Sequence, residues 1–97
     1  MKYMTDASHA HLAKKLREKG LDCETVHKIL RGNEHSQDSI EDGEIAAFLR
    51  KNRGTVTLIV SDKEFSYHLK YDDLPHITLW DAVAEYIFKS KGPFFFF

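Results

Sequence analysis

The chain has one cysteine, two prolines and one tryptophan among its 97 residues, and its net charge is only −1. The lone Cys23 excludes an internal disulfide and any cysteine-rich zinc module, a pattern that suits a reducing compartment. No apolar run approaches the roughly 20 residues of a membrane span, and residues 1–6 lack the apolar core of a signal peptide. The expected location is therefore cytoplasmic, with no membrane partner. A near-neutral chain also lacks a long-range basic field, so a nucleic-acid ligand would have to be held by local patches or by metal ions. No repeat of useful period is found, and no stretch has the composition of an internal linker.

What is present is ordinary globular composition, with 42% hydrophobic and 30% charged residues. The length allows one core and not two, so residues 1–92 are expected to form a single domain. Residues 93–97 follow as an apolar tail of four consecutive phenylalanines, which a monomer rarely exposes unless it docks somewhere.

The most informative stretch is residues 55–60, Thr-Val-Thr-Leu-Ile-Val, a charge-free run rich in β-branched side chains. Such a run reads as a strand buried on both faces, as central strands of parallel sheets are. It stops at a carboxylate, Asp62, with Glu64 just beyond. Ligands of open α/β sheets sit beyond the carboxyl ends of the strands, so both acids fall where chemistry is usually placed.

The same alternation runs along the chain. Residues 2–5 read as a first strand that delivers Asp6, and Ser8 as the cap of a helix over residues 9–19 that buries Leu12, Ala13 and Leu16 and ends at Gly20. A second strand is expected over residues 21–26. Residues 27–37 have no convincing period and read as an irregular or partly helical excursion. Ser39 and Asp42 have the spacing of a capping box for a helix to Lys51 that buries Ile45, Phe48 and Leu49. After the central strand come a short helix to about Leu69, a turn at residues 72–75 and a brief fourth strand at residues 76–78. A last helix, with Thr78 and Asp81 at cap spacing and Leu79, Val83, Tyr86 and Ile87 on one face, is expected to run to Lys91. The predicted fold class is α/β, a small three-layer sandwich with a mostly parallel sheet of three or four strands flanked by helices.

If the first and central strands are neighbours, Asp6 and Asp62 meet at one edge and Asp42 leans in from a flanking helix. Carboxylates gathered so closely repel one another, and a bound divalent cation is the usual remedy. Hard oxygen donors favour Mg²⁺ or Mn²⁺ over zinc, which points to phosphate chemistry.

At these residues the sequence resembles the PIN-like ribonucleases, especially the short PIN-like proteins and toxins of VapC type. Three pieces carry the resemblance, in matching order over residues 2–70. They are Thr5-Asp6-Ala7-Ser8 after the first strand, Asp42-Gly43-Glu44-Ile45-Ala46-Ala47 opening a helix, and Val60-Ser61-Asp62-Lys63-Glu64-Phe65 after the central strand. The third is similar to the family's Thr-x-Asp-x-Asp-Phe signature, with Val60 for the threonine and Glu64 for the second aspartate. The resemblance implies a PIN-like fold in which Asp6, Asp42 and Asp62 bind metal and Glu64 completes or supports the catalytic set. It further implies RNA cleavage by metal-activated water with in-line attack at the phosphodiester. An antitoxin or other protein, or a second copy of the chain, is an implied partner. Larger members supply one more acid from a region abbreviated here, where Glu24, Glu34 and Glu41 lie outside any motif, so a PIN-like interaction or RNA-binding module without catalysis is the alternative.

Phosphate contacts are expected from Lys63, beside the acids, and from Lys28 and Arg31 in the polar excursion, Arg31 first because a guanidinium grips phosphate in bidentate fashion. Simpler readings exist for several of these residues. Asp62 and Glu64 also suit a helix cap, Asp42 suits a helix N-terminus, and Lys14, Lys15, Arg17 and Lys19 suit a solvated face. His9 and His11 fall on different faces of a helix, and Cys23 with His27 straddles a strand end, so the six histidines are read as structural and not as zinc ligands. Trp80 reads as core or as an interface. A phosphoacceptor receiver domain also places acids at strand ends, but it needs an acidic pair where Thr5-Asp6 offers one.

Overall fold

Charge-free, β-branched segments can be buried on both faces, and residues 56–60 are: Val56, Leu58, Ile59 and Val60 are all at most 6% exposed. The computed structural model describes residues 1–6 and 9–88. Its elements are β1 (Lys2–Thr5), α1 (Ala10–Glu18), β2 (Cys23–Thr25), α2 (Val26–Arg31), α3 (Asp42–Lys51), β3 (Val56–Val60), α4 (Lys63–Tyr71), β4 (His76–Thr78) and α5 (Leu79–Val83), the last running into a π-helical turn (Ala84–Phe88). The four strands form one sheet in the order β2-β1-β3-β4, and every pairing is parallel. The expected α/β class with a parallel sheet is what the structure has. Among the described residues no helix is long and apolar enough to cross a membrane.

Alternation along the strands sends neighbouring side chains to opposite faces. Met4, Val56, Leu58 and Val60 join Val26, Leu49, Phe65 and Leu69 in one core cluster, supplied by α2, α3 and α4. Cys23 and Ile59 join Ala13, Leu16 and Ala82 in another, supplied by α1 and α5. Helices therefore cover both faces, as a sheet without a polar face requires.

Local chemistry sets the helix ends. The α1 helix stops where Gly20 takes φ +91°, its N–H donating to the Arg17 carbonyl at 2.9 Å while Leu21 N–H donates to Leu16 O at 3.0 Å. Thr25 caps α2 by accepting the Lys28 N–H at 3.1 Å. Thr78 caps α5 by accepting from Asp81 N–H at 3.2 Å, the pairing their spacing predicts.

The partly helical reading of residues 27–37 is what the structure has: residues 26–31 form α2, Thr25 caps the segment, and Val26, Ile29 and Leu30 pack on the core, so tertiary contact holds a helix too short to show a period. Two expectations need correction. The expected Ser39 cap of α3 is absent. Glu41 occupies the cap position without a side-chain bond, the helix begins at Asp42, and Ile40 is used against the core instead. The last helix is not regular to its end but widens into the π turn at residues 84–88, where the Tyr86 hydroxyl meets the Tyr3 hydroxyl at 2.7 Å with the rings edge-on, 5.5 Å between centroids. The Ser8 cap, the helix end at Lys91 and the phenylalanine tail lie outside the described residues.

Burial also sets the chemistry of the single thiol. Cys23 is fully buried, and desolvation pushes its pKa from 9.0 to about 11, with Arg17 opposing and Glu24 and Asp22 adding to the rise. A folded-state value above the unfolded one means that ionisation favours the unfolded chain. Stability is accordingly expected to be unaffected by this thiol below about pH 9 and to fall as pH climbs from about 9 toward 11. Urea melts at stepped alkaline pH, compared with Cys23→Ser, check this; iodoacetamide labelling of the native chain at neutral pH should be negligible until denaturant is added.

A candidate acidic site at the carboxyl edge of the sheet

The register fixes where the acids emerge. Thr5 lies opposite Ile59, so the chain leaves β1 at Asp6 and leaves β3 two residues beyond Val60, at adjacent points of the same edge. From β1 the chain crosses to β2 on one side, then returns to β3 on the other. The order reverses between β1 and β3, and a crevice opens at such a reversal. A cavity of about 170 Å³ occupies it, with Asp6, Asp42, Asp62, His27 and Ser61 among its walls and Leu58, Val60, Ile45 and Phe65 as its apolar floor.

Three separate elements bring the aspartates there. Asp6 follows β1, and its carbonyl accepts the His9 N–H at 2.9 Å. Asp42 opens α3. Asp62 precedes α4 and caps it, Oδ1 accepting from the N–H of Glu64 at 2.9 Å and of Phe65 at 3.4 Å. The simple reading of Asp62 as a cap is thus correct, and it engages only one of the two carboxylate oxygens. The acids share a field: partial burial raises the Asp42 pKa, and Asp62, Glu41 and Asp6 push it further up, with His68 opposing. A carboxylate whose folded value is raised binds its proton more tightly in the fold, so its ionised form works against stability at neutral pH. Asp42 is largely exposed and water screens the repulsion, so Asp42→Asn is expected to leave stability unchanged or raise it by up to about 0.5 kcal/mol, read from the urea midpoint, even though it removes a site residue.

The other sequence candidates lie apart from this cavity. Glu64 is exposed in the first turn of α4 and is not among the cavity walls. Arg31 is engaged elsewhere, with Nη1 donating to Glu44 Oε2 at 2.6 Å, Nη2 to Glu44 Oε1 at 2.8 Å and Nε 3.3 Å from Asp38 Oδ2. Its fork joins α2 to α3 and raises its own pKa while lowering that of Glu44. Lys28 is exposed on α2, and Lys63 lines a neighbouring cavity. Of the spare acids, Glu24 pairs with Arg17 at 2.7 Å, Glu34 lies 3.6 Å from His35, and Glu41 adjoins Asp42.

Two histidines reach the site without a sequence motif. His9 Nε2 lies 2.9 Å from Ser61 Oγ, tying the start of α1 to the segment after β3. His27 Nε2 donates to the Asp38 carbonyl at 2.8 Å, so in the neutral ring Nδ1 carries a lone pair, and Nδ1 is buried without a partner. Thr5 Oγ1, one residue before Asp6, is the other buried side-chain atom in that condition among the described residues. Both atoms are shut off from solvent, so each carries the cost of a buried polar group without a hydrogen bond.

Among the described residues, no three His, Cys, Asp or Glu side chains stand close enough to form a ready-made metal cage. The aspartates ring the cavity without converging on one point. Their donor chemistry is all oxygen, which suits a hard cation, and Mg²⁺ commonly binds through one or two carboxylates while keeping several waters. With a water occupying about 30 Å³ of liquid, the cavity can hold such a partly hydrated ion. No protein-family model, curated protein or solved structure matches the chain.

Proposed function

We propose that this chain is a PIN-like, Mg²⁺- or Mn²⁺-dependent endoribonuclease of the kind held in check by an antitoxin or other protein partner. The observation that carries the reading is that Asp6, Asp42 and Asp62, from three separate parts of the chain, line one cavity at the β1/β3 edge. A divalent cation bound there would supply water activation and neutralise charge developing on the phosphoryl oxygens. The aspartates would hold it through carboxylate oxygens, Asp62 through the oxygen not used in capping α4. His27, its ring held by the Asp38 carbonyl, is among the cavity walls. Of the three carboxylates, Asp42 is the one that the cavity partly desolvates, and the charges of Asp62 and Asp6 add to its tendency to take up a cation or a proton. Lys63 is the basic residue nearest to the acids in sequence and is the one assigned to the scissile strand.

The second reading, a PIN-like RNA-binding or interaction module without catalysis, is favoured by the lack of a three-ligand group among the described residues. Incubation of the full chain with single-stranded RNA, with Mn²⁺ or Mg²⁺ and with EDTA, separates them. Cleavage that appears with metal and vanishes with EDTA supports the nuclease. Binding without cleavage under either ion supports the module.

A further inference from the structure

Resting on the reading of the acidic cavity as an RNA-processing site, we propose that the cleft beside it is a base-stacking subsite for single-stranded RNA, with Trp80 as its platform and Lys63 as its phosphate contact. The cleft, about 280 Å³, opens between α4 and α5 and shares Val60, Ser61 and Asp62 with the acidic cavity, so the two form a continuous trough along the carboxyl edge of β3. Trp80 is 76% exposed. Its helix is anchored by its neighbours, Ala82 fully buried and Leu79 packed on the core, which leaves the indole turned out of the fold. So large an apolar ring in water is unusual unless something covers it.

The surroundings favour a nucleic-acid strand as the cover. Lys63 stands at the cleft, and Tyr67 (64% exposed) and Tyr71 (90% exposed) follow it at four-residue steps, on one stripe of α4 that leads away from the site. Exposed aromatic faces beside a cation suit a single strand, its bases stacking while a phosphate meets the charge. Duplex bases hide those faces. Two of the cleft's hydroxyls are already committed, Thr78 Oγ1 to the Asp81 N–H and Ser61 Oγ to His9. With few groups left to read base edges, the subsite stacks bases with little sequence preference.

Trp80 is the only tryptophan in the chain, so its fluorescence reports on this cleft alone. Titration of the full chain with a short single-stranded RNA in EDTA should quench it saturably, and the same sequence as a duplex should quench it little. Trp80→Ala should weaken binding of labelled RNA about tenfold by anisotropy, and Trp80→Phe should recover most of the loss. Binding without quenching, equal binding by Trp80→Ala, or no saturable binding at all overturns the subsite. So does a dimer in sedimentation that Trp80→Ala dissociates while RNA binding is unchanged, because the cleft is then a protein interface. Quenching with no metal-dependent cleavage overturns the nuclease and supports the subsite, whereas cleavage with an indifferent Trp80 overturns the subsite alone.

Discussion

Asp62→Asn is expected to reduce metal-dependent RNA cleavage by about a hundredfold or more while leaving the chain as stable as before. Under the proposed function, the substitution separates the observed capping task of this side chain from its proposed role toward a cation. As a cap, Asp62 Oδ1 accepts from the Glu64 and Phe65 amides, and an asparagine oxygen accepts the same bonds almost as well. As a cation ligand or source of transition-state charge, it needs the negative charge that asparagine lacks, and such an interaction is worth several kcal/mol, about tenfold in rate for each 1.4. Asp62→Ala loses both tasks and should also lose about 1 kcal/mol of stability. Initial rates with Mn²⁺, paired with urea melts of each variant, give the answer. Cleavage that persists in a well-folded Asp62→Asn protein removes this residue from the site even if the activity is genuine.

Met4→Ala is expected to cost about 2–5 kcal/mol, a large part of the roughly 5–15 kcal/mol that holds a small domain together. Met4 is fully buried in β1, hydrogen-bonded between β2 and β3, and packs with Leu58, Val26 and Leu49 from three other elements. Truncation removes most of a long side chain and leaves a cavity that strands tied on both sides cannot close. The same change loosens the strand that positions Asp6, so activity should fall with stability. A urea midpoint that barely moves would show that the cluster around β1 is not packed as described.

The sheet was legible because parallel strands buried on both faces write themselves as charge-free runs, and residues 56–60 are such a run. The convergence of Asp6 and Asp62 followed from one assumption, that β1 and β3 pair, which the register bears out. Less legible were features that tertiary packing decides. Periodicity cannot mark a six-residue helix, and the signal that could have found α2 was Thr25 standing as a cap before Val26, Ile29 and Leu30. Without the bounds of α2, His27 could not be assigned to the cavity. Arg31 looked free for phosphate because nothing in sequence spacing tells that Glu44, thirteen positions away, supplies the carboxylate that holds it. Glu64 shares a motif with Asp62 but stands two residues on, in the first turn of α4, which carries it away from the walls. Trp80 read as core or as an interface, and the packing of its neighbours turns it outward, which removes the core reading alone.

The strands that frame the trough meet only across a long span of chain, β1 at Lys2–Thr5 and β3 at Val56–Val60. Parallel pairing of this kind closes late, since the loop entropy between the partners must be overcome before their hydrogen bonds form. A chain in which β3 has yet to dock on β1 therefore carries scattered acids and no trough. Whatever chemistry the acidic cavity performs is thus tied to completion of the sheet, and loosening the β1–β3 pairing would scatter its walls before the rest of the fold is lost.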